Sequence, residues 1–345
     1  MPTVQFNSAA FSLQENESVL DCLLRHEQKV PHACKSGVCQ ACLVKAVDKD
    51  ASTQAQKSLK PTLQAQGYAL ACQWIPEQDV RVSLPALDEC AVAMRISRIE
   101  PLNHRILRLV LEVNGESPLF PYYPGQYLNI TNAAGISRSY SIANNYTVDQ
   151  HIELHVQQMP MGIFTGWLFT QASVGDILHV RGPAGDCFYS NPTQEAFPMV
   201  LAGTGTGLAP LYGIVHEALR EGHQGPIHLF HGGVTARDLY CVDALRALAS
   251  QHSQFHYHAS SLKAPEISSD SLSDDNLHSD SVEVGMLDEV LLRHLDVGSI
   301  AQTRVYLCGA PELVQLLRKK IFLKGAKSSH IYCDPFIERR VPAAA

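Results

Sequence analysis

No run of eighteen apolar residues occurs in the 345-residue chain, so nothing in it is built to cross a bilayer as a helix. Its first residues, MPTVQFNSAAF, lack the basic start and apolar core of a secretion signal. Basic excess is missing too: 27 Lys and Arg stand against 34 Asp and Glu, a formal charge of −7, whereas a nucleic-acid surface calls for a basic stripe. The expectation is a cytoplasmic protein that inserts into no membrane and binds no nucleic acid. Neither the six-residue Rossmann glycine fingerprint nor the Gly-Lys-Ser/Thr ending of a P-loop is found. The 16 histidines include no pair at metal-ligand spacing with a supporting carboxylate. His151, His155, His256 and His258 alternate along strand-like stretches and read as structural.

What is present is an unusual cysteine pattern. The segment CKSGVCQAC runs from Cys34 through Cys39 to Cys42, and Cys72 stands well beyond it. Four residues and then two separate the first three thiols, the plant-type spacing for a 2Fe-2S cluster. Three thiolates must wrap one side of a small anionic cluster, so the loop needs tight turns, and Gly37 can adopt the positive φ they require. Backbone N–H groups of such a loop can point at the sulfurs and offset their charge. A zinc site would want a second C-x2-C or Cys/His pair, and none surrounds Cys72. A disulfide set is at odds with a chain lacking a secretion signal. Of the ten cysteines, Cys22, Cys90, Cys187, Cys241 and Cys333 read as small core residues.

The length accommodates two or three domains, and the 46% hydrophobic content can fill several cores. Residues 1–87 read as a small β-rich module: strands near Val4–Phe6 and Phe11–Leu13, a helix from Val19 to Glu27 capped by Ser18, then strands at Leu43–Val47, Tyr68–Cys72 and Val80–Leu84. Pro85–Glu89 reads as a linker. Residues 92–192 carry six short strands with no long helix between them, which predicts a small antiparallel barrel. Residues 195–345 alternate strand with helix, which predicts a parallel sheet covered on its faces. Residues 264–283, rich in serine and acid without apolar periodicity, read as a solvated surface loop.

Three further motifs carry chemistry. In Arg138-Ser139-Tyr140-Ser141 a strand would put Arg138 and Tyr140 on one face, where a cation can neutralise a phosphate and a ring can cover a planar heterocycle. Taken alone, the same pattern is an ordinary surface cation–π pair. Gly203-Thr204-Gly205-Thr206-Gly207 follows a short apolar strand and opens a helix, so its backbone can approach a pyrophosphate; tight βα turns use glycine as well. Cys308-Gly309-Ala310-Pro311 closes a later strand, where Cys308 is either a core thiol or a group at the edge of a site.

In that order, the motifs resemble the ferredoxin–NADP+ reductase superfamily, in the one-chain form that puts a plant-type ferredoxin domain first. The resemblance implies a β-grasp ferredoxin domain, an antiparallel flavin barrel and an α/β nucleotide domain. It implies that Cys34, Cys39, Cys42 and Cys72 ligate the cluster. Arg138 would face the flavin pyrophosphate, Ser139 and Tyr140 would belong to the FAD site with Tyr140 against the isoalloxazine, and Ser141 would approach N5. The second flavin element, Gly162-Ile163-Phe164-Thr165, opens a helix toward phosphate, and His155 and Val156 lie on the strand before it. Where many relatives place a basic residue before this turn, the chain has Gln157 and Gln158. Residues 203–207 with Cys308, Gly309 and Pro311 would hold the nicotinamide nucleotide. Phe336 would lie against the flavin or in the core. Ser260-Ser261-Leu262-Lys263 has no arginine for a 2′-phosphate, and Arg237 is the other basic candidate, which points to NADH over NADPH. Implied overall is an NADH-dependent oxidoreductase whose partner is an oxygenase or hydroxylase component or another one-electron acceptor protein. Electron donation in CDP-deoxysugar synthesis and a non-catalytic iron–sulfur sensor are the alternatives.

Overall fold

The computed structural model describes the chain except residues 1, 33, 39, 48–51, 60–66, 86–90, 116–118, 146–148, 192–193, 265–281, 296–298 and 337–345. Most of the expected linker and of the 264–283 loop, together with Cys39 and Cys90, therefore lie outside the described residues. No helix of the described chain is long and apolar enough to cross a membrane. The chain divides into two compact units, Met1–Ala91 and Val92–Ala345.

The first unit is a five-stranded sheet of β1 (Thr3–Phe6), β2 (Ala9–Ser12), β3 (Leu43–Ala46), β4 (Tyr68–Leu70) and β5 (Val80–Ser83), in the order β2-β1-β5-β3-β4. Only β1 and β5 run parallel, the β-grasp signature. Helix α1 (Val19–Arg25) starts where Ser18 accepts the Asp21 backbone N–H, and it buries Val19, Leu20, Cys22 and Leu23 against the sheet. Each such side chain withdrawn from water contributes roughly 1.5–3 kcal/mol. A short helix, α2 (Thr53–Gln56), follows β3.

In the second unit, six antiparallel strands form one sheet: β6 (Val92–Pro101), β7 (Ile106–Val113), β8 (Tyr127–Thr131), β9 (Ser137–Ser141), β10 (Ile152–Gln157) and β11 (Ile177–Ala184). The order β10-β7-β6-β11-β8-β9 encloses Ile96, Leu109, Leu111, Leu128, Leu154 and Val180. Strand β6 is long, and its register against β7 shifts between Ile96 and Arg98. A bulge of this kind breaks the alternation from which a strand is read. Helix α3 (Ile163–Thr170) packs Phe164 and Leu168 into the same core.

A parallel sheet completes the unit, from β12 (Met199–Thr204), β13 (Ile227–Gly233), β14 (Phe255–Ser261), β15 (Glu283–Val284), β16 (Arg304–Gly309) and β17 (Ile331–Pro335) in the order β15-β14-β13-β12-β16-β17. Helices α4 (Leu208–Arg220) and α5 (Val242–Gln251) cover one face, packing on Leu201, Leu229 and Tyr306. Helices α6 (Leu287–His294) and α7 (Pro311–Leu323) cover the other, packing on Ala202, Phe230 and Leu307. Adjacent strand residues thus serve opposite layers, as the period of two requires. Strand order reverses between β12 and β16, and the C-terminal ends there form the crevice where such sheets receive ligands. Helix α5 begins at Val242. Thr235 and Asp238 form a capping box around a 3-10 turn, and Cys241 is left-handed at φ 54°.

Candidate electron-transfer site

In the first unit, the loop from Cys34 to Cys42 turns through left-handed backbone at Lys35 (φ 54°), Gly37 (φ 81°) and Gln40 (φ 53°). A Cβ at Gly37 would stand 2.9 Å from Gln73 Cγ, so Gly37 answers both to its φ and to close packing. The Ser36 N–H donates to Cys34 Sγ at 3.4 Å, and Gln73 Nε2 donates to Cys72 Sγ at 3.6 Å. Ser58 braces the loop, donating its hydroxyl to the Gly37 carbonyl at 2.8 Å. Cys34 is exposed, Cys42 buried and Cys72 half-buried. Donors already aimed at sulfur suit thiolates carrying a cluster's charge, so the described ligand loop fits a 2Fe-2S group.

In the second unit, strand β9 presents Arg138 and Tyr140 from one face. Arg138 makes no ion pair among the described residues; its Nη1 donates to the Ser137 carbonyl at 2.6 Å, so its charge is available to a phosphate. Ser139 Oγ donates to Asn129 Oδ1 at 2.6 Å. The Tyr140 ring lies 5.8 Å from Phe164 of α3, so the two flavin elements seen in the sequence meet side by side. Burial pushes the Tyr140 phenol well above its ordinary pKa, which keeps it a neutral ring. At the start of α3, a Cβ on Gly162 would fall 2.4 Å from Thr165 Oγ1, which accepts the Met159 N–H at 3.2 Å. Ile163 is exposed there and Phe164 is buried.

A cavity of about 410 Å3 opens beside this helix start, lined by Arg105, Gln158, Met159, Pro160, Met161 and Gly162 among others. Arg105 comes from the β6–β7 turn, where its carbonyl accepts the Gln158 N–H at 2.8 Å. It brings to this helix start a cation that the neighbouring sequence, with Gln157 and Gln158, does not. By contrast, His155 and Val156 are buried. His155 Nε2 donates to Glu153 Oε1 at 2.9 Å, and Nδ1 lies 3.1 Å from the Tyr240 hydroxyl. Both ring nitrogens are used inside the protein, and only backbone at these two positions remains for a cofactor.

The crevice is closed around glycine. A Cβ at Gly207 would lie 2.4 Å from the Cys308 carbonyl oxygen, and one at Gly203 would lie 3.0 Å from it. Gly205 is left-handed (φ 53°) in the 3-10 turn Gly205–Gly207 that opens α4, and Thr204 and Thr206 flank it half-buried. Gly309, at φ 116°, leads into Pro311, the first residue of α7, and its carbonyl accepts the Phe336 N–H at 2.8 Å. Phe336 is thereby tied by its backbone to the strand end that carries Cys308, and its side chain is half-buried.

Two neighbours were not singled out from the sequence. The Ser141 hydroxyl donates to Asp334 Oδ2 at 2.8 Å, joining β9 to β17. Burial raises the Asp334 carboxyl above its ordinary pKa, and nearby Asp186 adds to this, while the Ser141 bond acts in the opposite sense. Cys308, fully buried, has its Sγ 3.6 Å from that of Cys187. Burial, then Cys187, pushes the Cys308 thiol far up, so it stays protonated at neutral pH.

Residues 3–77 match the 2Fe-2S iron-sulfur cluster binding domain family, 93–189 the oxidoreductase FAD-binding domain and 201–319 the oxidoreductase NAD-binding domain. The reductase subunit of an aromatic O-demethylase from Amycolatopsis sp. is 33% identical over 258 residues, 71% of this chain and 75% of that one. The chain belongs to the ferredoxin–NAD(P)+ reductase family. It is an NAD(P)H-dependent oxidoreductase with flavin and iron–sulfur domains. The reductase component of the naphthalene 1,2-dioxygenase system of Pseudomonas putida is 28% identical over 339 residues, covering 96% of this reductase and 97% of that one. The crystal structure of an Amycolatopsis cytochrome P450 reductase superposes with a TM-score of 0.66 at 27% identity, over 97% of this reductase and 99% of that chain.

Proposed function

We propose that the chain is the NADH-dependent reductase component of an oxygenase or hydroxylase system, accepting electrons in pairs and delivering them singly to that partner in the cytoplasm. The observation that carries this is the succession of cluster, flavin and nucleotide domains in one polypeptide, matched nearly end to end by a dioxygenase reductase component. When bound, FAD supplies the conversion between paired and single electrons, and the cluster supplies a one-electron outlet. The protein's own groups do the rest. Arg138 and Arg105 would offer charge to the FAD phosphates, and Tyr140 would supply an aromatic surface to its ring system. Ser141, held by Asp334, would supply a hydroxyl oxygen to the flavin site. The turn 203–207 admits a pyrophosphate against bare backbone, and Gly309 and Pro311 shape the strand end beside it. The neutral Cys308 thiol keeps the nicotinamide end uncharged. Ser260 and Ser261 are buried, and the Ser261 hydroxyl donates to the Lys263 carbonyl at 2.9 Å, so this strand end presents no serine cradle to a 2′-phosphate and NADH is the expected donor.

The test is an anaerobic absorbance spectrum of the purified protein before and after NADH. Flavin bands and a broad iron–sulfur shoulder should both fade. Cys72→Ser should retain flavin bleaching but lose reduction of a one-electron acceptor. A flavin that NADH fails to bleach would sink the reading.

A further inference from the structure

Strands β13 and β14 carry histidines on the face that α6 covers. His258, on β14, stacks on Phe230 with ring centroids 4.5 Å apart and lies 4.3 Å from the ring of His294, the last residue of α6. Glu283, the first residue of β15, pairs in register with Ser260, two residues along β14 from His258. A parallel pair projects partner side chains to the same face, so the Glu283 carboxylate arrives beside both imidazoles. Its Oε1 lies 3.2 Å from His294 Nε2. One ligand atom from each of the three residues falls within 4.8 Å of the others.

We propose that His258, Glu283 and His294 form a divalent transition-metal site, taking zinc or a neighbouring first-row ion, on the helix-covered face of the sheet. The donor set fits the ion: two imidazoles and one carboxylate are zinc ligands, and a fourth position is left for water. Magnesium and calcium, which want six or more oxygens, find one carboxylate here. Bonds of about 2.0–2.1 Å place tetrahedral ligand atoms about 3.3 Å apart. The Glu283–His294 pair already meets that spacing, and His258 needs a small side-chain rotation. The surroundings supply outer support. Arg293 Nη2 donates to Glu283 Oε2 at 2.7 Å, leaving Oε1 directed at His294, and a ring nitrogen of His228 lies 3.2 Å from Nε2 of His258. Such contacts orient ligands and set which ring nitrogen carries the lone pair. His294 is exposed, so an ion can enter from solvent. The ion would tie β14, β15 and α6 together, a structural staple independent of electron transfer.

The full-length holoprotein, loaded with cluster and FAD, is dialysed to equilibrium against zinc chloride with excess magnesium, and its metal content is measured by mass spectrometry. One zinc per chain is expected, with iron and flavin unchanged. Glu283→Gln and His294→Ala should each weaken retention at least about tenfold. Both positions are at element ends open to solvent, and His256→Ala, an exposed neighbour outside the triad, serves as the control for local packing. Zinc X-ray absorption should report only nitrogen and oxygen neighbours. Zinc held equally well by both variants, sulfur at about 2.3 Å, or no zinc retained would each overturn the site.

Discussion

Gly207 and Arg105 show two ways in which one residue bears on the site. A methyl group at Gly207 would meet the Cys308 carbonyl oxygen at 2.4 Å, and backbone on both sides leaves little room to yield. Gly207→Ala should destabilise the second unit by about 1–3 kcal/mol, as overpacking does, and should slow NADH-driven flavin reduction. Urea unfolding and stopped-flow absorbance check both, and unchanged values would show that the two strand ends yield to the methyl group without cost. Arg105→Ala removes a charge from the proposed phosphate end without disturbing the core, since the side chain is exposed. FAD affinity should drop about tenfold or more, the cost of a charge-assisted hydrogen bond, read from flavin fluorescence on release. The cysteine spacing was legible in the sequence because one short loop holds three of the four cysteines proposed as ligands. Arg105, Asp334 and the His258–Glu283–His294 group were not, because strand pairing and helix docking bring them together from distant segments. No histidine pair at metal-ligand spacing with a supporting carboxylate is visible along the chain, because Glu283 reaches His258 and His294 only through strand pairing and helix packing.

The strand–helix alternation from residue 198 onward was readable from periodicity, and the parallel sheet follows from it. Local geometry interrupts the pattern at the β6 register shift and at the capped turn before α5. Strand β13 also sets a pH response. His231 is fully buried beside Tyr257, and burial depresses its pKa to about 3. Unfolded, it would take a proton near its usual value of about 6.5. Between those limits the unfolded chain binds more protons, so stability falls as pH falls, by up to about 1.4 kcal/mol per pH unit for this group. His223, lowered by burial as well, acts in the same direction. Urea midpoints should decline from pH 7 toward pH 5. A flat profile would place His231 in contact with water.

At the scale of the molecule, the division of labour among domains was visible in the order of motifs: cysteine loop, barrel strand, glycine turn, cysteine at a later strand end. That order matters more than any one motif, because each alone has an ordinary structural explanation. The hydroxyl–carboxylate bond between Ser141 and Asp334 spans 193 positions of sequence and joins the barrel to the final strand of the nucleotide sheet. During synthesis, therefore, the barrel leaves the ribosome long before its serine has a partner. A product truncated anywhere before Asp334 would carry the whole barrel yet leave the Ser141 hydroxyl without this carboxylate, so the last stretch of the chain to be made completes a contact begun by one of the earlier strands of the unit.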